Sequence, residues 1–101
     1  MGTRIRRSSD NIFRDLGFGP EEAESLKLRA ELMVQIRRLI ERRKLTQAAA
    51  ARLLGVTQPR ISDLVRGKIG LFSIDSLVDM LARGGIRVQL RIRPSRSAHA
   101  A

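Results

Sequence analysis

TQAAAARLLGVTQPRISDLVRGK, residues 46–68, decides how the rest of the chain is read. Thr46-Gln47 returns eleven residues later as Thr57-Gln58, with four consecutive alanines, a pair of leucines and Gly55 in between. Each threonine carries the hydroxyl of a helix N-cap, so the spacing predicts two short helices, 47–54 and 58–66, joined by a turn at Gly55-Val56. A connection that tight brings the helices together at a steep angle, and the corner tolerates only a small side chain. Ala51 meets that demand, and Gly55 supplies the left-handed turn residue. Ala48 and Ala49 are not required by the corner and fit helix propensity alone.

On the second of these helices Ile61, Leu64 and Val65 share one face, which must point into the domain. At 100° per residue the opposite face carries Pro59, Ser62, Asp63 and Arg66, with Gln58 and Arg60 along its flanks. A helix with this polar face and a free N-terminal end can enter the major groove of DNA, where glutamine pairs with adenine and arginine with guanine. Thr46, Gln47 and Thr57 sit at helix N-termini, whose backbone amides can meet phosphate oxygens. Gly67 ends the helix, and Lys68 follows as a phosphate contact. Asp63 would be repelled by phosphates, so it must accept from a cytosine amino group or orient Arg60 or Arg66 through an i, i±3 pair; orientation is favoured. Plain architecture is the competing reading of such a motif. The small residue at Ala51, Gly55 four later, apolar Ile61 and Leu64, and the Thr-Gln repeat together favour DNA binding.

Composition points the same way. The chain has 101 residues, enough for one small domain with a modest core, and a net charge of +10, which favours a polyanionic partner. The charge is uneven: residues 8–34 hold 6 acids against 3 bases, whereas residues 35–68 hold 9 bases against 2 acids. There is no cysteine, and the sole histidine, His99, lies in a small-residue tail, so disulfides and thiolate metal sites are excluded, and these absences weigh against an enzyme. No glycine-rich phosphate loop is present either. An enzyme, a metal centre and a cofactor are therefore not expected. MGTRIRRSSD at the N-terminus lacks an apolar secretory core, and no apolar run approaches a membrane span, so a cytoplasmic, nucleoid-associated chain without membrane contact is expected.

Outward from the motif, residues 20–44 predict a long helix. Pro20 suits its first position, Glu21, Glu22 and Glu24 its positive end, and Arg42, Arg43 and Lys44 its negative end. Leu26, Ala30, Met33 and Ile40 form one apolar stripe; Leu28, Leu32 and Leu39 form a second, which serves either a two-faced core helix or a partner. Ahead of it, residues 8–18 read as a short helical turn or as an arm that orders on binding, with Ile12, Phe13, Leu16 and Phe18 apolar. After the motif, Ser73 can cap a helix in which Ile74, Leu77, Val78 and Leu81 keep helical spacing up to Gly84-Gly85.

The period then changes to two. Ile86, Val88, Leu90 and Ile92 alternate with Arg87, Gln89, Arg91 and Arg93, which predicts one β-strand with an apolar and a cationic face. No second strand is evident, and a lone strand cannot satisfy its own backbone. Antiparallel pairing with a second copy across a two-fold axis supplies a mate and enlarges a marginal core, so a homodimer is expected with these four residues at its interface. The competing reading packs residues 86–92 on the chain's own helices. The expected division is an N-terminal arm over 1–19, a DNA-binding and dimerisation domain over 20–93, and a disordered tail over 94–101.

The stretch at 46–68 resembles Xre/Cro-type repressor helix-turn-helix proteins. NIFRDLGF, EAESLKLRAELM, QPRISDLVRGK, FSIDSLVDML and GIRVQLRI further resemble the Hig-type antitoxin subgroup over about residues 10–93. The resemblance implies a mainly α, lambda-repressor-like bundle of about five helices with one C-terminal strand. It also implies a transcriptional repressor that dimerises on a palindromic double-stranded operator of its own operon and neutralises a small basic RelE-like ribonuclease toxin. By position, Gln47 and Gln58 match the family's paired glutamines, Thr57 its cap, Pro59 to Arg66 its reading segment and Lys68 its backbone contact. The chain departs from the pattern at Ala50, where a large apolar residue is usual, and at Leu53, where a polar one is. The toxin surface is expected in the acidic segment, at Ile12, Phe13, Leu16, Phe18, Glu21 and Glu22, unless that arm merely covers its own core. The alternative is a stand-alone, phage-like Xre/Cro-type regulator without a toxin.

Overall fold

A computed structural model describes residues 11–94. Five α-helices follow in order: α1, Ile12–Asp15; α2, Pro20–Arg42; α3, Gln47–Leu54; α4, Gln58–Val65; and α5, Ile74–Arg83, with a 3-10 turn, Ile69–Leu71, between the last two. Local chemistry accounts for most of the boundaries. Asn11, Thr46, Thr57 and Ser73 each accept a hydrogen bond from an amide of the first turn they precede, and Pro20 opens α2.

Two of the helices, α4 and α2, end in the same way. The amide of Lys68 returns to the carbonyl of Asp63 at 3.0 Å beyond α4, and that of Leu45 to Ile40 at 3.0 Å beyond α2. Each of these turns needs a left-handed residue, Gly67 at φ +77° in the first and Lys44 at φ +54° in the second.

α2 is the spine. Leu32, Met33, Ile36, Leu39 and Ile40 from it meet Ala50, Ala51 and Leu54 of α3, Ile61 and Leu64 of α4, Phe72, and Leu77, Met80 and Leu81 of α5 in one buried cluster. The second leucine stripe is thereby explained. Leu32 and Leu39 are buried and Leu28 packs against the cluster, so the two-faced core helix is the arrangement observed. The unusual pair in α3 is accommodated too, since Ala50 is fully buried while Leu53 packs at the edge of the cluster.

Residues 11–18 fold against the start of α2. Asn11 is buried; its Nδ2 donates to the carbonyl of Ala23 at 2.8 Å while its Oδ1 caps α1. Phe13 and Phe18 meet edge to face with centroids 6.2 Å apart. The helical-turn reading of this segment is therefore the one observed from Asn11 onward.

The C-terminal segment differs from expectation. No strand forms among the described residues, and 86–94 run on without secondary structure. The reason is the one that made a lone strand improbable: a ladder needs a second strand, and the described chain contains none. Instead the segment splits. Ile86 closes the end of α5 through its amide on Leu81 O, 2.8 Å away, and with Val88 packs against the core; Leu90 and Ile92 are 68% and 88% exposed. Residues 1–10 and 95–101, including most of the expected tail, lie outside the described residues.

Candidate nucleic-acid interface

The corner between α3 and α4 is built from Ala51 and Gly55. Gly55 adopts φ +73°, and its amide and that of Val56 both donate to Ala51 O, at 2.9 and 3.1 Å. The chain then turns at once into Thr57, whose Oγ1 accepts from the amide of Arg60 at 3.4 Å; Thr46 does the same for Ala49 at 3.1 Å. Each threonine retains its own hydroxyl proton as a donor. The amides of Gln47 and Ala48 precede the first intrahelical bond of α3 and point out of its N-terminal end.

α4 is anchored by Ile61 and Leu64, both fully buried, with Val65 half-buried beside them. Its opposite side displays Gln58, Pro59 and Arg66, all exposed, with Ser62 and Asp63 half-exposed between them. Gln47 stands exposed at the first position of α3, as Gln58 does on α4, so the two glutamines occupy equivalent places at the two free helix ends.

Two residues are engaged differently from expectation. Asp63 pairs with neither Arg60 nor Arg66. The turn at Gly67 folds Lys68 back over the helix end, and Lys68 Nζ lies 3.5 Å from Asp63 Oδ1. Arg66, exposed, has no acid within ion-pairing distance among the described residues. Arg60 turns away from the polar face: its Nη1 donates to Leu71 O at 2.9 Å and its Cζ lies 4.2 Å from the centre of the Phe72 ring.

Three arginine contacts had no signal in the sequence. Arg29 of α2 reaches Ile69 O and Phe72 O, each at 3.4 Å; Arg43 donates to Gly84 O at 3.0 Å; and the Arg83 side chain lies across Gly55. All pair residues about 28 to 43 positions apart, beyond the reach of helical or strand spacing.

Beside the start of α2, Ile12, Leu16 and Phe18 are 44%, 67% and 41% exposed, Phe13 is half-buried, and Glu21 and Glu22 are exposed nearby in sequence. No group of three or more potential metal ligands gathers among the described residues, and none of their helices is long and apolar enough to cross a membrane.

With this geometry in place, comparison with known proteins gives a consistent result. The helix-turn-helix domain family matches residues 12–93. A solved structure described as a "Putative XRE Family Transcriptional Regulator" is similar to this chain at 34% identity and a TM-score of 0.69, over 79% of this chain and 90% of that one. No curated protein matches. The match spans the motif, the long helix and the closing segment together, and the chain belongs to the helix-turn-helix family as an XRE-type DNA-binding transcriptional regulator.

Proposed function

We propose that this regulator is a repressor that reads a palindromic double-stranded operator as a homodimer, laying α4 of each copy in successive major grooves roughly 34 Å apart. One observation carries the reading. α4 buries Ile61 and Leu64 completely while leaving Gln58, Pro59 and Arg66 exposed on its outer side, so the helix is held rigidly by one face and free on the other. In this arrangement Gln58, Ser62 and Arg66 address base edges. The ends of α3 and α4, at Thr46, Gln47 and Thr57, take phosphates, and so does Lys68. Residues 35–68 supply the positive field, with 9 bases against 2 acids.

The dimer is proposed to form through residues 86–92. Support comes from the exposure of Leu90 and Ile92 at the end of a segment whose first half, Ile86 and Val88, is already seated on the core. Two copies pairing there would cover these side chains and give the segment's backbone hydrogen-bond partners.

Within this reading the regulator is an antitoxin that represses its own operon and masks a small basic ribonuclease toxin. The exposed apolar group at Ile12, Leu16 and Phe18, in a stretch where acids outnumber bases, is the support for that second surface. A stand-alone regulator would need no such surface. Selecting bound duplexes from a random pool tests the repressor reading, with a two-fold symmetric consensus expected. Co-expression with the product of an adjacent small basic reading frame tests the antitoxin reading. Leu16→Asp should abolish co-purification and leave DNA binding intact.

A further inference from the structure

Arg60 stands on the flank of α4 where a base-reading arginine could extend, yet its guanidinium is engaged within the chain. Nη1 holds Leu71 O at 2.9 Å and Cζ lies 4.2 Å from the centre of the Phe72 ring. That ring is 1% exposed, and Arg60, only partly buried, forms its cover on that side. From α2, Arg29 Nη1 points at Ile69 O and Phe72 O; both separations are 3.4 Å, long for hydrogen bonds but converging on the same corner. Two guanidiniums from two helices thus address the carbonyls of Ile69, Leu71 and Phe72.

Phe72 and Ile69 seat the corner on the core, but its backbone has little else to hold it. It is a single 3-10 turn without a side-chain cap, its closing bond from Phe72 N to Ile69 O is 3.3 Å, and the Leu71 side chain is 51% exposed. It also leads straight back to the phosphate-binding lysine. Leu71 N donates to Lys68 O at 3.1 Å, and Lys68 N to Asp63 O at 3.0 Å, so the path from Arg60 through Leu71 and Lys68 closes on α4 again.

We infer that Arg60 is a positioning residue of the DNA interface. With Arg29 it clamps the Ile69–Phe72 corner, sets where Lys68 meets its phosphate, and reads no base. The inference rests on α4 being the recognition helix, and it leaves Arg66, the cap at its C-terminal end, as the arginine that addresses base edges.

The test compares the wild-type chain with Arg60→Gln, Lys68→Ala and the double variant, on the duplex that the wild type selects and on its single-base-pair variants, over a range of salt. Arg60→Gln should weaken binding to all these duplexes alike, with discrimination kept within about twofold, and lower the slope of log K against log salt by about one. Lys68→Ala should lower it equally, and the double variant no further, because both changes remove one contact. In the free protein, Arg60→Gln and Arg29→Gln should each speed hydrogen exchange at the Leu71 and Phe72 amides by about tenfold, while Arg66→Gln leaves them unchanged.

Lost discrimination at a single base pair in Arg60→Gln, slopes that add in the double variant, or unchanged exchange at Leu71 and Phe72 would each overturn the inference. Failure to select any duplex would instead strike the reading of α4 as a recognition helix, and the exchange measurement would still decide whether the clamp exists.

Discussion

Arg43, just past the end of α2, donates from Nη2 to the carbonyl oxygen of Gly84, 3.0 Å away at the end of α5. The two helices thereby finish side by side, and the contact is close. A Cβ on Gly84 would run into Leu39 Cδ2 and lie 3.2 Å from Leu54 Cδ2, both in fully buried core side chains that would have to shift. Gly84→Ala should therefore destabilise the domain by about 1–3 kcal/mol, as overpacking does. Arg43→Ala, which removes one partly exposed charge-assisted hydrogen bond, should cost about 1 kcal/mol. Urea denaturation of both variants checks the order.

Lys44 predicts the opposite sign. It holds the left-handed position at the end of α2 with φ +54°, where Gly55, Gly67 and Gly85 hold the equivalent positions after α3, α4 and α5. A side chain there costs about 1–2 kcal/mol, partly offset by the extra chain entropy that glycine loses on folding. Lys44→Gly should stabilise the fold by about 0.5–1 kcal/mol in the same denaturation assay. A lysine lies just ahead of the α3 N-terminus here, so the variant should also weaken DNA binding uniformly if that end takes a phosphate.

The C-terminal segment separates folding from assembly. Leu90 and Ile92 are 68% and 88% exposed, so Leu90→Glu with Ile92→Glu should leave the denaturation midpoint of dilute protein nearly unchanged and convert the proposed dimer to a monomer in sedimentation. Ile86, half-buried against the core, should behave differently. Ile86→Glu buries a carboxylate and should lower the stability of the monomer itself. A double Glu variant that stays dimeric would place the interface elsewhere.

The sequence carried the helices well because their determinants are local. Thr46, Thr57 and Ser73 each cap a helix three residues from the amide they accept, and Gly55 makes its turn within the motif, so spacing alone located α3, α4 and α5. Asp63 was harder. Its partner Lys68 lies five residues on, a distance with no meaning along a helix and made short only by the turn at Gly67. Arg60 and Arg29 were illegible, since the Phe72 ring and the carbonyls they reach belong to a corner that forms only once α2 and α4 are packed. The alternation over 86–92 described an apolar face correctly in half its length, but periodicity cannot tell a strand from a segment that seats two side chains on its own core.

The most direct test replaces the two exposed ends of the α4 reading face. Binding of Gln58→Ala, Arg66→Ala and the double variant is measured on the selected duplex and on a scrambled duplex of the same length and composition, at one salt concentration. Each single change should cost about 1–3 kcal/mol of discrimination, and the double variant should bind the two duplexes nearly alike while keeping its salt dependence on both. Undiminished preference for the selected duplex in the double variant would contradict the account, because no other exposed face of α4 could then be reading it.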